Sequence, residues 1–299
     1  MKNSSVEFLR LLAMTLITAQ HAASVIGAYE TTTIGPLQGC WGQFGVSVFM
    51  AISGWYSIGN DSPGRWFVKR LMRLFPTYWI VTIFAFALAW KTGRSFSGFQ
   101  VLSQLFGLGF FTHGWNLVNV VSWYISLLLL CYAITALSRF FRRPTMILAL
   151  AGGSALLLLL AHVEISLSRH VIAYCLAAAA ATLGKQRLLP IAAAALLTLT
   201  PFSASICYAV FGLTMLWIAL NLQTCSRWSF HRTILFVSDY VYEYFLIHGI
   251  CLVGAAKAIS NPAAAIAAAI IVAAMGAPLL RRTTEWTTTF LLGLTKKPS

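Results

Sequence analysis

Residues 7–21 read EFLRLLAMTLITAQH. Within this apolar run stand one guanidinium, Arg10, and one imidazole, His21, eleven positions apart. At 100° per residue, eleven positions make three turns and about 20°, so a helix carries both side chains on one stripe. They are also about 16 Å apart along the axis, roughly half of the ~30 Å hydrocarbon thickness of a bilayer. One therefore lies near a membrane surface and the other near mid-depth. An ionisable group held at mid-depth is costly and marks a functional site by default, although a histidine that only bonds a neighbouring helix satisfies the same facts.

The rest of the chain requires the membrane that this reading assumes. Of 299 residues, 59% are hydrophobic and only 9% charged, with a mean hydropathy of +0.79. Soluble domains are about a quarter charged, so this composition describes an integral membrane protein. Helices and short connections consume nearly the whole length, which gives a single transmembrane domain over 1–299 without an appended soluble domain. The net charge of +14 could suggest nucleic acid. The basic residues, however, come in small groups at the ends of apolar stretches, as membrane orientation requires, and nucleic acid is set aside. The six cysteines are scattered without CxxC or any metal-ligand spacing, so packing is their expected role and no metal is expected. The first apolar stretch lacks a small-residue cleavage site and is interrupted by Arg10 and His21, so it reads as a retained helix.

Apolar runs place spans at about 8–28, 42–58, 74–90, 122–138, 145–161, 169–183, 188–202, 204–222, 234–254 and 263–280. The expected fold is thus all-α and polytopic, with about ten transmembrane helices. In the second span Gly45, Ser47, Ala51, Ser53 and Gly54 would let a helix or a ligand approach the backbone. Pro76 is expected in the first turns of the third span, where a missing N–H costs least. The longest connection is 91–121, whose apolar run 101–112 is too short to cross and reads as interfacial or re-entrant. With the N-terminus inside, every basic residue except Lys91, Arg94, Arg169 and Lys257 falls at a cytoplasmic end. That asymmetry orients both termini to the cytoplasm, with Arg10 near the inner surface and His21 toward the outer half.

Three groups could carry chemistry. Lys69, Arg70 and Arg73 stand at i, i+1 and i+4, so on a helix Arg70 and Arg73 can meet one ligand. Forked donors of that kind suit phosphate oxygens, whereas a positive-inside anchor with snorkelling side chains explains the same residues. Arg10 at the same depth would add a third guanidinium and complete an anion pocket. His21 is the one residue of the first span able to act as a base near neutral pH, and Glu30 in the following loop could orient it or bind substrate. The ninth span holds Asp239 and Glu243 at i, i+4, with Tyr240, Tyr244 and His248 one residue round. These could border an acceptor site or bond to other helices. Trp123 and Tyr124 open the fourth span, where an aromatic belt is the default and stacking on a sugar the sharper expectation.

These stretches resemble the membrane-bound acyltransferase family 3, whose bacterial members O-acetylate cell-surface polysaccharides. The resemblance rests on EFLRLLAMTLITAQH, on FGVSVFMAISGWY in the second span and on FVKRLMRLFPTYW entering the third, with looser matches at WYISLLLLCY and YVYEYFLIH. It implies transfer of an acyl group, usually acetyl from cytoplasmic acetyl-CoA, to a hydroxyl of a cell-surface or lipid-linked glycan. It also implies residence in the bacterial cytoplasmic membrane. Residue by residue, His21 matches the family's essential histidine, Arg10 its partner arginine, and Arg70 and Arg73 its RxxR pair. Coenzyme phosphates would then sit on Arg10, Arg70 and Arg73, with Lys69 beside them, while His21 serves as general base or as a covalent acyl carrier. Glu243 departs from the small or apolar residue expected at its place, and no SGNH-type domain follows the tenth span, which implies a stand-alone transferase.

Two readings from other classes remain at this stage. Intramembrane His, Asp and Glu also serve proton-coupled secondary transporters, though no repeated halves with broken helices are visible here. A non-catalytic component of a glycan-export complex would share the composition but would not need His21.

Overall fold

The structure, a computed structural model, describes residues 3–35, 37, 39–59, 61–142, 144–160, 165–200, 203–222 and 231–293. Pro36, Arg143 and Arg227, and the basic residues Lys2, Lys296 and Lys297, lie outside the described residues. Among the described residues the chain is helical, with no strand beyond one isolated bridge between Ile34 and Leu37. The helices are α1 (Ser4–Val25), α2 (Cys40–Trp55), α3 (Pro63–Lys91), α4 (Gly98–Leu105), α5 (Gly109–His113), α6 (Trp123–Phe140) and α7 (Pro144–Leu160). They continue with α8 (Ile165–Leu183), α9 (Leu188–Leu199), α10 (Ile206–Asn221), α11 (His231–Ser238), α12 (Val241–Ala258) and α13 (Pro262–Gly293). Among the described residues five segments are long and apolar enough to cross a membrane: Ser4–Val25, Pro63–Lys91, Val120–Phe140, Val241–Ala258 and Pro262–Trp286.

The chain divides into two compact units, Met1–Phe67 with Leu127–Asp239, and Val68–Ser126 with Tyr240–Ser299. In the first unit α1 starts on Asn3, whose side chain accepts from the backbone N–H groups of Ser5 and Val6. Its buried face runs Val6, Leu9, Ala13, Ile17 and Gln20, the 3–4 spacing of one helix side, and it packs on α2. The small residues of α2 are used on more than one side. A Cβ on Gly45 would stand 2.5 Å from the carbonyl oxygen of Ala13 in α1, and one on Gly54 would collide with the Tyr174 carbonyl of α8. On α10, Gly212 meets the Ser47 carbonyl in the same way, with a Cβ distance of 2.6 Å. Backbones at that separation explain why the expected close approach to the second span holds.

In the second unit α13 lays Ala265, Ala269, Ala273 and Ala277 inward, at a spacing of four, and α12 packs against it. Its outward face carries Ile271, Val272, Met275 and Leu279, the last two 68% and 63% exposed. Small residues inside and large apolar residues outside is the arrangement that lipid, rather than water, stabilises.

Three expectations need correction. Pro76 is not in the first turns of its helix: α3 begins at Pro63, so the basic segment 65–73 is itself helical and the proline sits mid-helix, depriving the Met72 carbonyl of its usual donor. The ninth span is not one helix over 234–254. It breaks between α11 and α12, with Asp239 and Tyr240 in a turn where the Asp239 N–H bonds the Phe236 carbonyl. Asp239 and Glu243 therefore do not share a helical stripe. Nor does the tenth helix stop at 280, since α13 continues past Arg281 and Arg282 to Gly293.

The connection after α3 folds back along that helix. Tyr78 donates its hydroxyl proton to the Gln104 carbonyl, and Trp79 donates its indole N–H to the Leu105 carbonyl at 2.8 Å. Both rings belong to the middle of α3, some twelve residues or about 18 Å before its end at Lys91. The Gln104 side chain is fully buried, and its Oε1 accepts from the Val118 N–H at 2.7 Å, which ties the incoming and outgoing limbs together.

Candidate functional site

In the first unit, α1 carries the whole stripe singled out from sequence. Arg10 Nη1 lies 3.2 Å from both carboxylate oxygens of Glu7, one turn earlier and 6% exposed. A carboxylate in the first turn is favoured by the helix dipole, and here it also holds the guanidinium in place. Tyr56, just past the end of α2, lies within the electrostatic reach of both groups. His21 is half-buried on the same helix, and Glu30 is exposed in the short 3-10 turn Tyr29–Thr32 that follows it.

Sequence reasoning gave no role to a cluster at the level of His21. Gln20 is 5% exposed and lies over Gly42 of α2, where a Cβ would meet its Cγ at 2.8 Å. Neither atom of its amide has a hydrogen-bond partner. The next residue of α2, Gln43, presents Oε1 to His170 Nε2 of α8 at 2.8 Å, and His170 Nδ1 lies 3.0 Å from Ser47 Oγ. Because Gln43 Oε1 can only accept, Nε2 carries the proton in that bond, while Nδ1 and the Ser47 hydroxyl form the other. Beside it, the Arg169 guanidinium stands 4.8 Å over the Tyr208 ring of α10. The rule that singles out His21, a polar group in an apolar span, would have found Arg169, His170 and Gln43 as well.

The second unit holds the basic group and, of the ninth-span residues, Tyr240, Glu243, Tyr244 and His248, whereas Asp239 belongs to the first. Lys69, Arg70 and Arg73 are all on α3, so the i, i+3 and i, i+4 relations hold on a real helix. The Tyr242 hydroxyl of α12 donates to the Leu74 carbonyl at 2.8 Å, which brings the start of α12 beside Arg73. On α13, Thr284 is 3.2 Å from Thr77 of α3, and Arg281 reaches Glu285 at 2.8 Å and covers the Tyr240 ring at 5.5 Å. Glu243 stands at this basic end, 8% exposed, within the field of Arg281 and Arg73, and its Oε2 has no hydrogen-bond partner. Higher on α12, the Tyr244 and His248 rings stack at 5.8 Å and 6°, and His248 Nδ1 donates to the Phe245 carbonyl at 2.7 Å.

Trp123 and Tyr124 are buried, each 7% exposed. They open α6 beside the middle of α12, with Tyr124 5.1 Å from the Phe245 ring and Asn119 bonding the Leu246 carbonyl at 2.9 Å. Within that aromatic cluster Trp115, 5.7 Å from Trp123, is 52% exposed. Among the described residues no group of three or more His, Cys, Asp or Glu could hold a metal ion.

The helix bearing Arg10 and His21, the glycine-rich α2 and the basic α3 all fall within residues 3–281, which match the sequence model of a family described as an acyltransferase domain. No curated protein and no solved structure matches significantly. A match over that span, on a helical and lipid-facing chain, settles membership: this chain belongs to acyltransferase family 3 and is a membrane acyltransferase.

Proposed function

We propose that the protein transfers an acyl group, acetyl from cytoplasmic acetyl-CoA in the first instance, to a hydroxyl of a cell-surface or lipid-linked polysaccharide. It would do so in the cytoplasmic membrane of a bacterium, with about ten crossings and both termini inside. The observation that supports the reading is Arg10 and His21 on one helix within the family match. Lys69, Arg70 and Arg73, clustered on α3, suit the coenzyme phosphates, and the family resemblance alone makes Arg10 a further candidate for the donor. For Glu243 the donor end is the reading we favour over the acceptor, because Arg281 and Arg73, together with the carboxylate of Glu285, act on it.

His21 takes the proton from the acceptor hydroxyl as its oxygen attacks the thioester carbonyl. The new C–O bond forms, the C–S bond breaks, and the coenzyme thiolate leaves and takes up the proton. General-base assistance of this kind is worth ~10² to 10⁴ in rate. A covalent acyl-histidine would divide the same transfer into two steps.

The test is transfer of labelled acetyl from acetyl-CoA to glycan in membranes containing the protein. The His21→Ala variant is expected to lose at least about a hundredfold in rate while keeping its membrane level. Unchanged labelling in that variant would remove His21 from the mechanism. Labelled protein in acid-quenched wild type would assign the two-step route.

A further inference from the structure

The positive-inside asymmetry has four exceptions, and two of them, Lys91 and Arg94, stand together where α3 ends. Both are exposed, and orientation alone disfavours cations there. Arg94 is held rather than loose: its Nη2 reaches Asn116 Oδ1 at 3.5 Å and its guanidinium stands 5.2 Å over the Phe96 ring. Asn116 follows Trp115, and the chain reaches that tryptophan through Gly114. The backbone there, at φ 56° and ψ −130°, suits glycine and few other residues. Trp115 meets Phe110 at 5.1 Å and 75° and Trp123 at 5.7 Å and 56°, and about half of its surface stays exposed. His113, one residue before the turn, keeps a buried Nε2 without a hydrogen-bond partner.

We infer that Trp115, Arg94 and Asn116 form the entry platform for the glycan acceptor, and that this acceptor is anionic. The inference deepens the proposed function and rests on its placing the α3–α6 connection outside. A half-exposed indole supplies an apolar face for the C–H side of a pyranose ring, and the amide and guanidinium at its edge supply donors and an acceptor for ring substituents. A guanidinium that orientation would not place there fits a carboxylate or phosphate on the sugar. The folded-back course of the segment then leads from Arg94 past Trp115 to the buried Trp123.

Full-length protein in zwitterionic nanodiscs can be tested for binding to polygalacturonate, with neutral dextran as the comparison. Polygalacturonate should bind and dextran should not, with affinity falling as salt rises. Trp115→Ala and Arg94→Gln should each weaken binding about tenfold, and Trp115→Phe should largely retain it. Equal binding by Trp115→Ala, equal binding of dextran, or no binding of either polymer would overturn the inference. So would a Trp115→Ala protein that inserts less well but binds as tightly per molecule, which is the behaviour of a lipid-interface anchor. A wild type that binds the polyanion yet acylates no glycan would overturn the proposed function and leave the platform standing.

Discussion

At Glu243 a nearly buried carboxylate sits in the field of two guanidinium groups, and one of its oxygens has no hydrogen-bond partner. A lone buried carboxylate is costly, and nearby cations offset that cost only when its charge is retained. Its negative charge opposes the attraction of Arg73 and Arg281 for an incoming polyanion such as acyl-CoA. Glu243→Gln keeps the shape and removes the charge, so KM for acyl-CoA should fall, on the order of threefold to tenfold for unit charges several ångströms apart in a partly solvated site. KM for the acceptor should stay where it is. Initial-rate kinetics on both substrates check this, and a change confined to the acceptor would return Glu243 to the acceptor side. The charges around this residue are not legible in the sequence. Helical spacing relates Glu243 to its own helix, whereas its partners come from α3 and α13, far away in the chain.

At the level of the element, α2 is a spacer that tolerates no added bulk on its packed sides. A side chain on Gly54 would run into the backbone of α8 at Tyr174, and backbone cannot move aside as a flexible side chain can. Gly54→Val should therefore lower stability by about 1–3 kcal/mol or more, read as a drop in thermal unfolding temperature of the detergent-solubilised protein. Gly153→Ala on α7, where a Cβ meets nothing within 4 Å, should leave it unchanged or slightly raised. The small-residue run that forecasts this is plain in the sequence, as are the lengths of α1 and α7, because a long apolar helix writes itself into hydropathy. The partners on the far side are not legible. His170 and Ser47 are 123 residues apart, and no periodicity within either helix says which other helix faces it. The helical start of α3 was hidden because its basic residues lower hydropathy without lowering helix propensity. The break at Asp239–Tyr240 carries neither glycine nor proline, the usual signals of a stop.

For the whole molecule, the number of crossings turns on the shorter helices. The 12 residues of α9 span only about 18 Å, well short of a ~30 Å core, so length alone would let it turn back. Charge argues otherwise. Lys185 and Arg187 precede α9, and Arg227 and Arg232 follow α10, so with α10 crossing both groups stay inside only if α9 crosses too. Were α9 to turn back, every later segment would invert, and Arg281 and Arg282 would be exported along with Arg227 and Arg232. Local thinning or snorkelling at a short helix costs fractions of a kcal/mol per ångström, whereas exporting that many cations opposes the rule that sets topology. Ser260, between α12 and α13, should thus face outward and Arg282 inward. In a chain whose six cysteines are replaced, a cysteine at Ser260 should react with a membrane-impermeant maleimide on intact cells, and one at Arg282 only after lysis. The reverse pattern would mean that α9 does not cross, and it would move the C-terminal half, Arg281 included, away from the side on which a cytoplasmic acyl donor arrives.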